Sequence, residues 1–342
     1  MVLNKIKKIV KNDSFIYLDD FIRTVLQDHD SGYYTNKNPI GKKGDFITAP
    51  EVSQLYGEIL ALSIVNKILQ KGILYFNLLE LGPGKGTLMK DIVRIFKKTL
   101  DKNISYSIHF NEINRNYKKE LRIHFPNCKF NSNFNNLTED YLIVIANEFF
   151  DAMPICQFSL IKDEIFETVI RIDENEDLFF DKYPARKEIV DEADCQVKLS
   201  KNLFYEYSQE TNKIFKNLSE LIKKNGGFML VADYGYIKPI IKSTLQSISK
   251  NQKTQVLNNI GNQDITCHVN FHKLVNIAEN LGLKNIHLNT QGNYLKMNGI
   301  NIRAEKLIKS NSNKSEKIIN ELSRLIDPDK MGNLFKILEA EY

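Results

Sequence analysis

The stretch Asn77-Leu78-Leu79-Glu80-Leu81-Gly82-Pro83-Gly84-Lys85-Gly86-Thr87 decides the fold. The apolar run from Leu74 to Leu81 reads as a short buried strand. Three glycines at alternate positions follow it, and Thr87-Leu88-Met89-Lys90-Asp91-Ile92-Val93 then begins a helical pattern. Strand, Gly-rich turn and helix N-terminus form the ligand-binding corner of a doubly wound α/β sheet. Glycine suits such a corner because the turn is tight and a ligand must approach bare backbone.

The spacing selects the ligand. A dinucleotide site uses G-x-G-x-x-G, whereas here the pattern is E-x-G-x-G-x-G, with Glu80 two residues before Gly82. A carboxylate at the strand end repels a pyrophosphate but suits a ligand carrying an ammonium and a sulfonium, which is S-adenosyl-L-methionine. A phosphate-binding P-loop is excluded because Thr87, not Lys-Ser/Thr, follows Gly86. The remaining alternative is a Gly-rich turn with no ligand. Glu80, Gly82, Pro83, Gly84 and Gly86 are therefore the expected cofactor-binding core.

The second strand, Ile104 to Phe110, ends in Asn111-Glu112, which places Glu112 to accept the ribose hydroxyls. Cys128-Lys129-Phe130 suggests a third strand. Tyr141 to Ala146 is a continuous apolar run typical of a central parallel strand. It ends in Asn147-Glu148-Phe149-Phe150-Asp151-Ala152-Met153-Pro154. Ligands in open α/β sheets lie beyond the carboxyl ends of the strands, so this end is the expected catalytic edge. Phe228 to Asp233 is the fifth strand, after a helix from Phe204 to Asn225.

Upstream, Leu18, Phe21, Ile22, Val25 and Leu26 recur at helical spacing, and a helix capped by Ser53 runs to about Lys71. Between them lies a Gly/Pro-punctuated segment with Tyr33, Tyr34 and Phe46, too aromatic for disorder and long enough to suggest a functional loop. After Pro154, short alternating runs separated by the acidic turn Asp173-Glu174-Asn175-Glu176-Asp177 predict inserted antiparallel hairpins. Residues 1–72 thus read as a helical N-terminal region with a motif-bearing loop. Residues 73–154 and 204–300 read as a Rossmann-like domain, 155–203 as a β-rich substrate insertion, and 301–342 as a helical C-terminal segment.

Composition excludes other classes. At 342 residues and 42% hydrophobic content the chain can bury a large core. No segment approaches the roughly 18 uninterrupted apolar residues of a membrane span. Met1 to Lys8 lacks the apolar centre of a signal peptide. Cys128, Cys156, Cys195 and Cys267 form no C-x-x-C pair, which argues for reduced thiols and against a metal site. The net charge of +5 is small and dispersed, so no nucleic-acid partner is expected. Cytoplasm is the expected location, or the mitochondrial matrix in a eukaryote. Nothing in the sequence sets an oligomeric state.

Several stretches together resemble the MidA-type S-adenosylmethionine-dependent methyltransferases, whose mitochondrial members assist assembly of respiratory complex I. They are Gly32-Tyr33-Tyr34, Ile40-Gly41 with Gly44-Asp45-Phe46-Ile47-Thr48-Ala49-Pro50-Glu51, Glu80 to Gly86, and Asn147 to Pro154. Asp233-Tyr234-Gly235, Asp264 to Phe271 and Met331-Gly332 with Leu334-Phe335-Lys336 extend the likeness over most of the chain. Cys267 and Asn270 stand where the family pattern has Ala and Asp. The resemblance implies a class I methyltransferase fold, S-adenosylmethionine as donor with S-adenosylhomocysteine as product, and a protein substrate, an arginine of a complex I subunit.

An arginine acceptor gives the carboxylates a task. Its guanidinium is protonated at neutral pH and must lose a proton around the transition state, and acidic groups can orient the fork and localise its charge. Glu148 is the expected principal acceptor-side carboxylate, Asp45 the second and Asp151 a third. Asp151 could instead cap its turn and Asp45 tie down its loop. Thr48, Pro50 and Asn147 are expected at the cofactor as the two motif stretches close over it. His268 could act as a base, or simply pack.

Overall fold

The computed structural model describes residues 1–37, 39, 41, 47–134, 137, 139–195, 204–238, 240, 242–250 and 252–342, with the backbone alone at 193–195. Asp45, with Gly44 and Phe46, lies outside the described residues. The chain forms two compact units. One comprises Asn38–Phe149, Phe215–Gly235 and Lys273–Tyr342; the other comprises Met1–Lys37, Phe150–Ile214 and Tyr236–His272.

The first unit contains a twisted sheet. The strands along its main path are β1 (Tyr75–Leu81), β2 (Ser105–Asn111), β3 (Lys129–Phe130), β4 (Leu142–Asn147), β5 (Gly227–Tyr236), β6 (Lys284–Thr290) and β7 (Phe335–Glu341). They lie in the order β3-β2-β1-β4-β5-β7-β6. β1 pairs in parallel with β2 and β4, and β4 in parallel with β5, while β7 runs antiparallel to β5 and β6. The order reverses between β1 and β4, which makes their carboxyl ends the topological switch point. Leu142 to Ala146 are all buried, as a strand covered on both faces requires.

Local chemistry sets the flanking helices. In the helix Gln54–Lys71 the Ser53 hydroxyl accepts the Leu55 N–H at the N-terminus, and Gly72 closes the far end at φ +65°. This helix packs through Leu55, Ile59, Leu60 and Ile64 into a core shared with Phe76, Phe96 and Phe110. It also buries Glu58 completely, and that carboxylate accepts from Arg94 at 2.8 Å and from Arg303 at 2.6 Å. The expected helical C-terminal part contains helices Ile300–Ser310 and Ser315–Ile326. It ends, however, in strand β7, because Ile337, Leu338 and Ala340 complete the buried sheet beside Val231 and Met229.

The second unit holds the N-terminal helices Val2–Asp13 and Leu18–Gln27, the latter burying Leu18, Phe21, Ile22, Val25 and Leu26 as its spacing predicts. The expected hairpins are strands Cys156–Ile161, Glu164–Ile172 and Leu178–Pro184. Lys162 and Asp163, both at positive φ, make the two-residue turn of the first. The acidic turn forms around Asp173, whose Oδ1 accepts from the Asn175 and Asp177 amides. The helix expected from Phe204 instead starts at Gln209, since Tyr205–Tyr207 pairs as a strand with Cys156–Phe158. The polar segment after Tyr236 supplies a three-stranded sheet, Gln246–Ser249, Gln252–Thr254 and Asp264–Thr266. No described helix is long and apolar enough to cross a membrane.

Candidate active site

The carboxyl end of β1 leads into the glycine turn. Gly82, Gly84 and Gly86 all lie in the left-handed region, at φ +60°, +52° and +72°, a conformation that costs an L side chain energy. The Gly82 N–H donates to Asn111 O at 2.8 Å, and the Gly86 N–H to Pro83 O at 2.8 Å, so the turn folds across the end of β2. Neighbouring side chains also fill the space a Cβ would need. At Gly82 it would lie 2.9 Å from the Phe149 ring, and at Gly86 2.7 Å from Leu121. Side chains at these positions would collide with their neighbours, so glycine is required where the motif at β1 meets the motif at β4.

Two carboxylates lie beneath this turn. Glu80 is 3% exposed, and its Oε2 has no hydrogen-bond partner among the described residues. Burial, and secondarily the charge of Glu112, pushes its pKa up to about 8. Glu112 accepts the Gly84 N–H at 3.1 Å and the Asn114 N–H at 2.7 Å. Burial raises its pKa to about 7, against the lowering effect of those amides and of Lys118. Two such buried groups titrate as a pair, and burial holds both toward the protonated form. A cationic ligand with hydrogen-bond donors fits this arrangement: it would satisfy the orphaned oxygen and offset the desolvation of both carboxylates.

The end of β4 provides the second part. Glu148 stands at φ +50°, unusual for a non-glycine residue, and its N–H donates to Ala232 O at 2.8 Å. Its Oε1 accepts the Ala49 N–H at 2.7 Å and the Asn147 amide at 3.3 Å. Asn147 Oδ1 in turn accepts the Tyr56 hydroxyl at 2.6 Å. The Phe149 N–H donates to the buried Asp233 at the end of β5, at 3.2 Å. Thr48, buried, precedes the short helix Ala49–Val52 that contains Pro50, and the Thr87 hydroxyl donates to Glu51.

The first unit therefore contains Glu80, Gly82, Pro83, Gly84, Gly86, Glu112, Asn147, Glu148, Thr48 and Pro50. Asp151 belongs to the second unit, in a 3-10 turn at Phe150–Ala152, and its carbonyl accepts the Cys267 N–H at 2.9 Å. His268 is also there, its N–H donating to Thr244 Oγ1 at 3.0 Å. Tyr56 and Asp233 enter the network without having been expected in it. Tyr56 sits in an apolar helix face and gives no sequence signal. Asp233, acidic at a strand end, carries the same signal as Glu112.

Parallel order 3-2-1-4-5 with a reversed β7 inserted before β6, and a glycine turn over paired carboxylates at the switch point, define a class I methyltransferase. Residues 59–288 match the family described as "Putative S-adenosyl-L-methionine-dependent methyltransferase". The chain belongs to this family, and S-adenosyl-L-methionine is its methyl donor. It is also similar to the protein named "Protein arginine methyltransferase NDUFAF7, mitochondrial" of Xenopus laevis, at 29% identity over 99% of this chain and 84% of the relative. The human protein of that name is 27% identical over 95% and 80%. The Drosophila melanogaster homologue is 27% identical over 93% and 80%. Among solved structures, a Burkholderia thailandensis protein bound to S-adenosyl-homocysteine superposes with a TM-score of 0.84 over 100% of this chain and 92% of that one; at 20% identity this shows the shared fold.

Proposed function

We propose that this enzyme methylates an arginine side chain of a protein, a subunit of respiratory complex I, and that the modification supports assembly of that complex. The supporting observation is Glu148, a carboxylate held at the switch point by the Ala49 and Asn147 donors on one oxygen. Relatives named as protein arginine methyltransferases are similar over nearly the whole chain. The compartment follows from the acceptor: cytoplasm in a bacterium, the matrix in a mitochondrion.

When bound, S-adenosylmethionine supplies an electrophilic methyl group on a sulfonium, the C–S bond breaking as a C–N bond forms. The protein's task is to position and to manage one proton. Glu80, Glu112 and the backbone of Gly82 to Gly86 hold the donor, with Pro83, Thr48, Pro50 and Asn147 against it. Glu148 accepts N–H groups of the incoming guanidinium, draws its charge toward one side and leaves the opposite nitrogen to attack. The attacking nitrogen sheds one proton to solvent around the transition state, so guanidinium and sulfonium donor give methylated guanidinium, S-adenosylhomocysteine and one proton. Asp45 is the further acceptor-side carboxylate in this scheme.

The test is incubation of the purified protein and labelled S-adenosylmethionine with membrane extract from a strain lacking the gene. Label in one complex I subunit, recovered as methylarginine, is the expected result. Label in another protein or a small molecule would move the acceptor elsewhere. Binding without any transfer would leave a cofactor-holding assembly protein.

A further inference from the structure

We infer that Tyr56 is a positioning residue for methyl transfer, acting on Glu148 through Asn147. The inference rests on the acceptor-side role proposed for Glu148. Tyr56 is fully buried in the helix Gln54–Lys71, and its hydroxyl is 2.6 Å from Asn147 Oδ1. Burial first, and the Glu148 charge next, keep this phenol protonated far above neutral pH, with Tyr294 and Asp233 adding to the effect. The protonated hydroxyl keeps its proton to give, and the structure directs it at the amide oxygen, Asn147 Oδ1.

That donation decides which way the amide faces. With Oδ1 turned to Tyr56, the Asn147 NH2 must face Glu148, where Nδ2 stands 3.3 Å from Oε1. The Ala49 N–H reaches the same oxygen at 2.7 Å. Two donors on one oxygen concentrate the carboxylate charge there and fix the side-chain torsions. The Glu148 backbone, at φ +50° and tied to Ala232 O, aims the side chain from a conformation few residues adopt. Without the phenol, Asn147 can rotate by half a turn and present its oxygen to Glu148, which repels the carboxylate and releases it. A residue from a helix core thus sets the orientation of a group at the strand end, and it touches neither donor nor acceptor.

Labelled S-adenosylmethionine and membrane extract from the gene-deleted strain serve as the assay for Tyr56→Phe, Asn147→Ala, their double variant, Glu148→Gln and Tyr294→Phe. Tyr294 is the control: it also loses a buried hydroxyl, one bonded to Ser63 and Glu339. Tyr56→Phe should lower the initial transfer rate at least tenfold, with S-adenosylhomocysteine affinity by calorimetry within twofold of the parent. Asn147→Ala should lose a similar amount, and Tyr56→Phe added to it should cost nothing more, as expected of residues that act as one unit. Equal fold losses in both backgrounds, a Tyr56→Phe rate within twofold of the parent, or the same loss in Tyr294→Phe would each overturn the inference. A fully active Glu148→Gln enzyme would instead remove the Glu148 assignment and Tyr56's role with it. A parent protein that binds S-adenosylhomocysteine but labels nothing would remove the transfer reaction itself.

Discussion

The Phe149 ring packs directly on the α-carbon of Gly82, so close that a Cβ there would sit 2.9 Å from Cδ2. One residue closes β1 and the other follows β4, and their contact joins the two most distinctive stretches of the sequence into a single site. The aromatic ring occupies the space that a side chain on Gly82 would need.

Gly82→Ala should therefore be costly in two ways, through φ +60° and through the clash with Phe149. Gly72 provides the comparison, since it has φ +65° with nothing within 4 Å of its would-be Cβ. Gly72→Ala should lose about 1 kcal/mol of stability, the cost of the left-handed backbone alone. Gly82→Ala should lose about twice that and bind S-adenosylhomocysteine at least tenfold more weakly, while Gly72→Ala binds normally. Thermal melts and calorimetry read both.

Glu80 gives the protein a pH-dependent weakness. Its folded pKa, about 8, lies above the ordinary value of 4.5, so the folded state holds a proton that the unfolded state releases. Folding stability should fall as pH rises from about 4.5 through about 8, and Glu112, at about 7, acts in the same direction. Glu80→Gln removes the ionisation, so it should be more stable than the parent at pH 8, by on the order of 4 kcal/mol. At pH 5 the gap should shrink to within about 1 kcal/mol. Urea unfolding at both pH values checks the sign; an unchanged difference would disprove the assignment.

Glu112→Ala removes the acceptor of the Gly84 N–H as well as the expected ribose partner. S-adenosylhomocysteine affinity should fall roughly ten- to hundredfold, about 1.4–2.7 kcal/mol at tenfold per 1.4 kcal/mol. Adenine-free fragments such as methionine should bind the variant and the parent equally. Calorimetric titration with both ligands distinguishes a lost ribose contact from a collapsed turn.

Glu58 is a structural counterpart to these site carboxylates. It is wholly buried and balanced by the half-buried Arg94 and Arg303 guanidiniums. Arg303→Ala should cost about 1–2 kcal/mol, less than the 3–5 of a fully buried pair because the arginine reaches solvent. S-adenosylhomocysteine binding should not change. Denaturant midpoints and calorimetry test the separation of the two effects.

The sequence by itself determined the strand, glycine turn and helix at Leu74 to Val93, the helix burying Leu18 to Leu26, the hairpins after Pro154 and the cofactor. Those features are written in contiguous residues, where side-chain period and the conformational demand of glycine act over a few positions. Tertiary structure alone decided that Glu80 and Glu112 share one buried space, that Phe149 covers Gly82, and that Tyr56, Asn147, Glu148 and Ala49 form one hydrogen-bonded chain. It also drew Met1–Lys37 together with Phe150–Ile214 and Tyr236–His272, and Asp151 with them. Such contacts join residues far apart in the chain and leave no local periodicity. Whether a carboxylate is ionised, oriented or orphaned depends on what packs around it, and no short stretch of sequence specifies that.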